Sequence, residues 1–573
     1  MIPRNEHPNP NFKRNDYIIL NGEWDFEFDF GDSGKERKLF DVDAQFSKKI
    51  NVPFCPESEL SGIGYKDFMA AVWYKRTVGI TEEQLKGKAF IVFGAVDFHA
   101  SVYVNGEFAG EHFGGYTSFR IDATKFLKAG ENTITVCAQD DTRSPLQARG
   151  KQSELVYSHD CDYTRTTGIW QTVYMEFCPE NYIKSVKYYP NITDGTLTIH
   201  AELVGNGTFE ARAFWDGKEV GVASTDTLGQ TATLTLNLSE KHLWEVGKGG
   251  LYALNLSFGG DQVSSYFGLR EVKLTDNAIN INGKPVFQRL VLDQGFYPDG
   301  IYTAPSAEAL KNDILLSMEV GFNGARLHQK IFEPLFLHYC DELGYIVWGE
   351  HGNWGADHTN FESLRYFLLE IEEEIERDFN HPALIGWCPY NETWDVNGRK
   401  QDDDVIRIVY RTVKNLDKTR PCIDTSGNFH VETDIFDVHD YDQDCELFKG
   451  HYEDLTNKNI LFDHQGRRQT WKGEPVFMSE YGGIRVELKE FEENDREKAW
   501  GYGNAATSLE EFYARYDGLT TALIDCPKMI GFCYTQLTDV EQELNGIFRY
   551  DRTKKFDSEI LYKINTKKAA IEK

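Results

Sequence analysis

The chain has 573 residues, enough for three or four domains of ordinary size, and its 41% apolar and 14% aromatic content can fill large cores. A formal charge of -30 repels nucleic acid and anionic membranes, which leaves neutral or weakly polar ligands as the better match. Ten cysteines without a CxxC pair or regular spacing argue against a disulfide framework and for a reducing compartment. Met1–Tyr17 is polar and lacks the apolar stretch of a secretory signal. No apolar run reaches the ~20 residues of a membrane span, so a cytoplasmic protein is expected.

Residues 1–180 read as a β-sandwich. Val72–Val78, Ala89–Phe93, Ala100–Val104 and Asn132–Val136 are short, β-branched and aromatic, and Asn105-Gly106 marks a tight hairpin turn. Residues 181–272 repeat that character over about ninety positions, with Thr196–His200 and Thr231–Leu236 alternating well, which suits an immunoglobulin-like sandwich. The turn-rich Asn280–Pro285 opens a third region, 273–573, where strands and helices alternate. Eight strands are expected there: Val286–Leu292, Phe322–Arg326, Tyr345–Trp348, Ala383–Cys388, Pro421–Thr425, Ile435–His439, Pro475–Met478 and Met529–Tyr534. Helices are expected over Ala307–Val320 (capped by Ser306), Leu335–Leu343, Phe361–Phe379, Val405–Leu416, Leu509–Ile524 and Glu559–Ile571. Eight such units in about 300 residues predict a TIM barrel. The acidic run Glu370–Glu376 reads as a solvated helix face.

TIM-barrel sites form at the C-terminal strand ends. Those ends carry Asp293; Arg326 and His328; Glu350 and His351; Asn391 and Glu392; His439 and Tyr441; Glu480 and Tyr481; and Tyr534, Gln536 and Asp539. Glu392 and Glu480 stand after the fourth and seventh strands, on facing sides of the lumen. Paired carboxylates so placed can cleave a glycosidic bond, one trading protons and the other attacking the sugar. Glu392 as acid/base calls for a raised pKa, with Trp387, Tyr390 and Trp394 as apolar surroundings. Glu480 as nucleophile must stay ionised, with Arg326 as the cation that holds it so and Tyr441 as a hydrogen-bond donor. Asn391 is placed to bind the sugar 2-hydroxyl, and Trp354, Trp394 and Trp471 are candidates to stack on sugar faces.

Several motifs together resemble glycoside hydrolase family 2 over essentially the whole chain: Leu20–Trp24, Trp73–Arg76, Gly168–Trp170, Gly321–His328, Asn391-Glu392 and Ser479–Gly482. The resemblance implies a jelly-roll sugar-binding domain, an immunoglobulin-like domain and a catalytic (β/α)8 barrel. It also implies hydrolysis of a terminal glycoside with net retention, Glu480 forming the glycosyl-enzyme and Glu392 acting as acid/base. Glucuronidases of the family carry an Asn-x-Lys element after the eighth strand. The matching stretch here is Gln542–Phe548, which has no lysine, and Glu543 would repel a uronate. A neutral sugar is therefore favoured, a β-galactoside first, with α-L-arabinosidase or β-glucuronidase as alternatives. A non-catalytic carbohydrate-binding protein and a transglycosylase are the other classes; the intact pair Glu392 and Glu480 speaks against the first. No cofactor is expected. Some family members bind magnesium near the acid/base, where Glu350, His351 and Glu392 offer ligands, but adjacent strand residues point to opposite faces. The sandwich domains offer surfaces for a homo-oligomer.

Overall fold

A computed structural model describes residues 2–463, 468–488 and 499–573. In the N-terminal region a four-stranded sheet runs in the order Tyr17–Ile19, Val173–Cys178, Lys88–Phe93, Phe119–Asp122. A six-stranded sheet runs Lys48–Val52, Gly22–Asp29, Ala71–Ile80, Gly130–Gln139, His99–Val104, Glu107–Phe113. Trp24, Phe26, Tyr74, Ile91, Val102 and Met175 share the core of this sandwich. At its Asn105-Gly106 hairpin both residues have positive φ, +53° and +84°, which Asn and Gly tolerate best.

The next region pairs a three-stranded sheet (Tyr182–Asn191, Thr196–Val204, Thr231–Asn237) with a four-stranded one (Lys218–Thr227, Gly207–Trp215, Tyr252–Phe258, Asp261–Phe267). Thr231–Asn237 shows the cause: Ala232, Leu234 and Leu236 are buried while the alternate residues face out. Arg14 staples the two sandwiches, pairing with Glu176 at 3.0 Å and Asp261 at 2.9 Å. The second sandwich also grips the barrel: Trp244 Nε1 donates to Asp341 O and Tyr266 OH to Asp341 Oδ2, each at 2.8 Å.

The C-terminal barrel contains strands β1 (Gln288–Asp293), β2 (Gly324–Leu327), β3 (Ile346–Glu350), β4 (Leu384–Cys388), β5 (Phe436–Asp440), β6 (Val476–Gly482) and β7 (Met529–Thr535). They form one parallel sheet in the order β4-β3-β2-β1-β7-β6-β5. Val286 is not in β1; it ends a small antiparallel sheet that leads into the barrel. Pro421–Thr425, expected as a full strand, forms no ladder. The segment runs beside β4 through the isolated bridges Trp387–Cys422 and Asn391–Ser426, and Ser426 Oγ donates to Asp437 Oδ2 of β5 at 2.6 Å. Pro421 has no N–H to give a ladder, and Asp424 instead accepts the backbone N–H groups of Val431 and Glu432.

Helices α1 (Ala307–Glu319), α2 (Pro334–Leu343), α3 (Leu364–Asp378), α4 (Asp403–Leu416), α5 (Cys445–Lys458), α6 (Leu509–Ile524) and α7 (Ser558–Asn565) surround the sheet. Ser306 caps α1, accepting from Ala309 N at 3.2 Å. Helix α5 escapes sequence reading. Phe448, Tyr452 and Leu455 form its buried face, but Gly450 and His451 interrupt the pattern.

The acidic run on α3 departs from expectation. Glu372 and Glu376 are exposed, but Glu370 and Glu374 are buried. Glu370 Oε1 accepts from Tyr116 N of the first sandwich at 2.9 Å, and Glu373 pairs with His112 at 3.0 Å. The run is an interface clamp, and a spacing of charges alone cannot tell a facing domain from water. Replacing Glu370 by Ala leaves the buried Tyr116 N–H without its acceptor, at a cost of about 1–3 kcal/mol. A lowered midpoint of denaturant unfolding checks this; an unchanged midpoint contradicts it.

Candidate active site

The lumen ends in a network centred on Arg326, which is buried. Its Nη1 donates to Ser479 O at 2.7 Å and Glu480 Oε1 at 3.2 Å. Its Nη2 donates to Glu350 Oε2 at 2.7 Å and Asn391 Oδ1 at 3.1 Å. Glu350 Oε1 lies 2.8 Å from His328 Nδ1 and accepts from Gln329 N. One guanidinium therefore fixes both Glu480 and the residue that precedes Glu392.

Glu480 reaches the lumen because of a bulge. Val438 pairs with Met478 and His439 with Glu480, so Ser479 is an extra residue on β6. Phe477 stacks on Trp348, whose indole donates to Gln288, whereas Tyr481 turns out to Thr520 of α6. Without the bulge, Glu480 and Tyr481 would exchange faces. Glu392 has φ +47°, in the left-handed region that costs a non-glycine residue about 1–2 kcal/mol. Its N–H donates to Ser426 O at 2.9 Å, and its carboxylate is held by His439 Nδ1 at 2.7 Å. His439 in turn lies against Gly427 (φ +82°), where a Cβ would stand 2.4 Å from the ring.

One oxygen of Glu392, one of Glu480 and a ring nitrogen of His439 lie within 4.8 Å of one another. Glu480 Oε2 accepts from Tyr441 OH at 2.6 Å, and that hydroxyl also meets Thr535 Oγ1 at 2.9 Å. Burial drives the Glu480 carboxyl upward, but His439, His328, Arg326 and Tyr441 outweigh it and hold it down at about 2. Burial works against the His439 imidazolium, yet Glu480 and Glu392 raise its pKa above the usual value. Because the folded-state value of Glu480 lies below the unfolded one, its stabilisation is complete above the unfolded value of about 4.3 and is lost as pH falls toward 2. Over that window the melting temperature of the wild type should fall more steeply than that of Glu480→Gln; parallel curves would contradict the linkage.

Other expected residues lie elsewhere. Asp293 accepts from Gly295 N at 2.9 Å, within its own turn. Its carboxyl is raised to about 6, first by burial and then by Asp313. Trp471 lies before the N-terminal end of β6 and donates to Glu474 O, so it does not stack on a ligand at this rim. Tyr534 packs its ring on Tyr481 and Tyr516, on the helix side; its neighbour Thr535 faces the cluster instead. His351 also turns outward, 3.3 Å from Glu370 of α3, opposite to Glu350. Trp387 donates to Asp417 and Tyr390 stacks on Phe367, so neither forms the apolar wall expected around Glu392. Trp394 is 47% exposed, edge-on to Phe429. Trp354 is at the rim, with Nε1 donating to Asn391 O at 3.1 Å.

The first sandwich supplies residues that the sequence did not reveal. Its 140–167 segment crosses to the barrel, where Gly150 N donates to Gly352 O at 3.0 Å and Asp357 N to Pro145 O at 2.8 Å. It brings Lys151 over the Trp354 ring, 3.7 Å from the centroid, and Tyr163 into a hydrogen bond with Glu543. Glu543 also accepts from Asn545 Nδ2 at 2.9 Å, and burial raises its pKa. Tyr502 stacks on Tyr441 at 3.4 Å. No local pattern marks Lys151, Tyr163 or Tyr502; Glu543 stood out in the sequence as hostile to a uronate, but its pairing with Tyr163 comes only from the packing of two distant regions.

Two family models match the chain: the sugar-binding domain of glycosyl hydrolases family 2 over residues 18–179, and the TIM barrel domain of the same family over residues 272–559. The chain belongs to glycoside hydrolase family 2. This family 2 chain is 26% identical over 502 residues to the β-galactosidase of Thermoanaerobacterium thermosulfurigenes, covering 84% of itself and 66% of that protein. It is 23% identical over 527 residues to the β-glucuronidase of Felis catus, covering 82% and 78%. It spans 56% of the length of a β-galactosidase from Thermoanaerobacter pseudethanolicus. A β-glucuronidase from an uncultured Clostridium sp. shares the fold at TM-score 0.78 and 21% identity, over 99% of both chains. So does that of Ruminococcus gnavus in complex with D-glucuronic acid, at TM-score 0.79 and 18% identity, over 98% of this chain and 100% of the other.

Proposed function

We propose that this family 2 protein is an exo-acting, retaining β-glycosidase, with Glu480 as nucleophile and Glu392 as acid/base. The observation that carries this reading is the spacing of the two carboxylates. Retention needs about 5–5.5 Å between the carboxyl groups and inversion about 6.5–9.5 Å. One oxygen of each carboxylate lies within 4.8 Å of the other, a closest approach in keeping with the shorter, retaining separation. Glu480, held ionised, attacks the anomeric carbon. Glu392 gives its proton to the leaving oxygen and then removes one from the water that releases the sugar. His439 touches both carboxylates, at 2.7 Å and 3.4 Å, and so can balance charge as the proton moves. Asn391 spends its Oδ1 on Arg326, which leaves Nδ2 to donate to a sugar 2-hydroxyl.

For the sugar we favour a neutral glycone, a β-galactoside first. The stretch 542–548 carries Glu543 and no lysine, and Glu543 lies close enough to bear on the charge of Glu480. A panel of nitrophenyl galactoside, glucuronide, arabinoside, mannoside, xyloside and fucoside tests this. Turnover concentrated on a neutral sugar supports it, and turnover confined to the glucuronide overturns it. Tyr441→Phe should lower kcat about ten- to a hundredfold through loss of its hydrogen bond to the Glu480 carboxylate, with KM little changed. A kcat within twofold of wild type would remove Tyr441 from the mechanism.

A further inference from the structure

Lys151 is 6% exposed, yet among the described residues its ammonium makes no ion pair and no side-chain hydrogen bond. The ammonium lies over the face of Trp354. A buried ammonium is costly unless something answers its charge and its three N–H groups. The charge is answered at longer range by Glu543, Asp162 and Glu392, with Cys161 the remaining titratable group facing it. Arg149 already pairs with Asp162 and with Glu154, the latter at 3.1 Å, so Asp162 is not a free partner. Glu543 is engaged by Tyr163 and Asn545. The N–H groups of Lys151 thus remain available, beside a tryptophan whose indole binds the carbonyl of Asn391, one residue from Glu392. The position is also fixed: Tyr163 N donates to Lys151 O at 2.7 Å, and Gly150 N reaches Gly352 O at 3.0 Å across the domain boundary. Tyr502, stacked on Tyr441, faces Glu480, Glu543 and Glu392 from the barrel side.

We infer that Lys151, delivered by the N-terminal sandwich, binds the glycone, donating hydrogen bonds to hydroxyl groups of a neutral sugar seated between Glu543 and Glu392. This rests on the glycosidase reading above. The acids around Lys151 already compensate one positive charge, so a uronate at this place would add an anion against Glu543. A neutral sugar uses the free donors without that repulsion. The first sandwich then completes the substrate site, and a barrel alone would lack this contact.

The test is steady-state kinetics of the full chain on nitrophenyl glycosides, with Lys151→Met and Lys151→Arg beside the wild type, and with deoxy versions of the best substrate. Lys151→Met should lower kcat/KM about ten- to a hundredfold, the span expected for a hydrogen bond from a charged donor. That loss should shrink to within about threefold on the one deoxy substrate lacking the contacted hydroxyl, and Lys151→Arg should restore part of the activity. A merely structural effect would lower every substrate alike, and that result overturns the proposal. So does an unchanged Lys151→Met, or a wild type that prefers the glucuronide and loses that preference in Lys151→Met. A wild type inactive on every glycoside instead overturns the glycosidase reading, and the Lys151 role with it.

Discussion

Glu480→Gln should reduce turnover of activated aryl glycosides by about 10⁴-fold or more, the scale on which removal of a covalent nucleophile acts. The amide keeps the shape of the side chain but cannot form the glycosyl-enzyme. It also removes the anion that Arg326 and His439 jointly face, at 3.2 Å and 3.4 Å, so their pKa values should fall. Substrate binding should persist, because Asn391, Lys151 and Trp354 are untouched. Substantial residual activity with a purified variant would sink the nucleophile assignment.

Glu392→Ala should separate the two chemical steps. A poor leaving group needs the proton that Glu392 gives, so its kcat/KM should fall about 10²–10⁴-fold. A nitrophenolate leaves without help, so the first step survives and the glycosyl-enzyme accumulates, since no base activates water. Azide, which needs no base, should then raise the rate and yield a glycosyl azide of retained configuration. Equal losses for good and poor leaving groups, with no azide product, would place the acid/base elsewhere. The variant also removes a side chain held at φ +47°, and alanine is no more at ease there. A melting comparison keeps loss of fold apart from loss of the proton donor.

Much of the site was legible because strand ends are local. Asn391, Glu392, Arg326, Glu350, His439 and Glu480 follow apolar runs, and in a barrel such positions must converge. What was not legible depends on phase and on distance. At β7 the last apolar residue, Tyr534, faces α6, and Thr535 faces the lumen. Counting to the end of a run does not say which alternate face points inward. At β6 the inserted Ser479 reverses that phase, and nothing in Met478-Ser479-Glu480-Tyr481 announces a bulge. Trp471 failed for a simpler reason, since a tryptophan before a strand belongs to the opposite rim. Lys151 and Tyr163 lie on one segment nearly 400 residues before Glu543, and they meet it only because one sandwich packs on the barrel. The same packing covers Glu370 and engages Glu373, which in sequence resemble any solvated acidic helix. The fifth strand was legible as an apolar segment, but Pro421 and the turn around Asp424 keep it from pairing as a full ladder.

Retention by way of Glu480 requires a two-step displacement through a covalent bond to its carboxylate. A 2-deoxy-2-fluoro glycoside of the preferred sugar with a good leaving group traps that intermediate, and peptide mapping by mass spectrometry locates it. Time-dependent inactivation and one added fluoro-sugar mass on the peptide that contains Glu480 are expected. A label on another carboxylate, or continued turnover with no labelled peptide, would contradict the two-step route through Glu480.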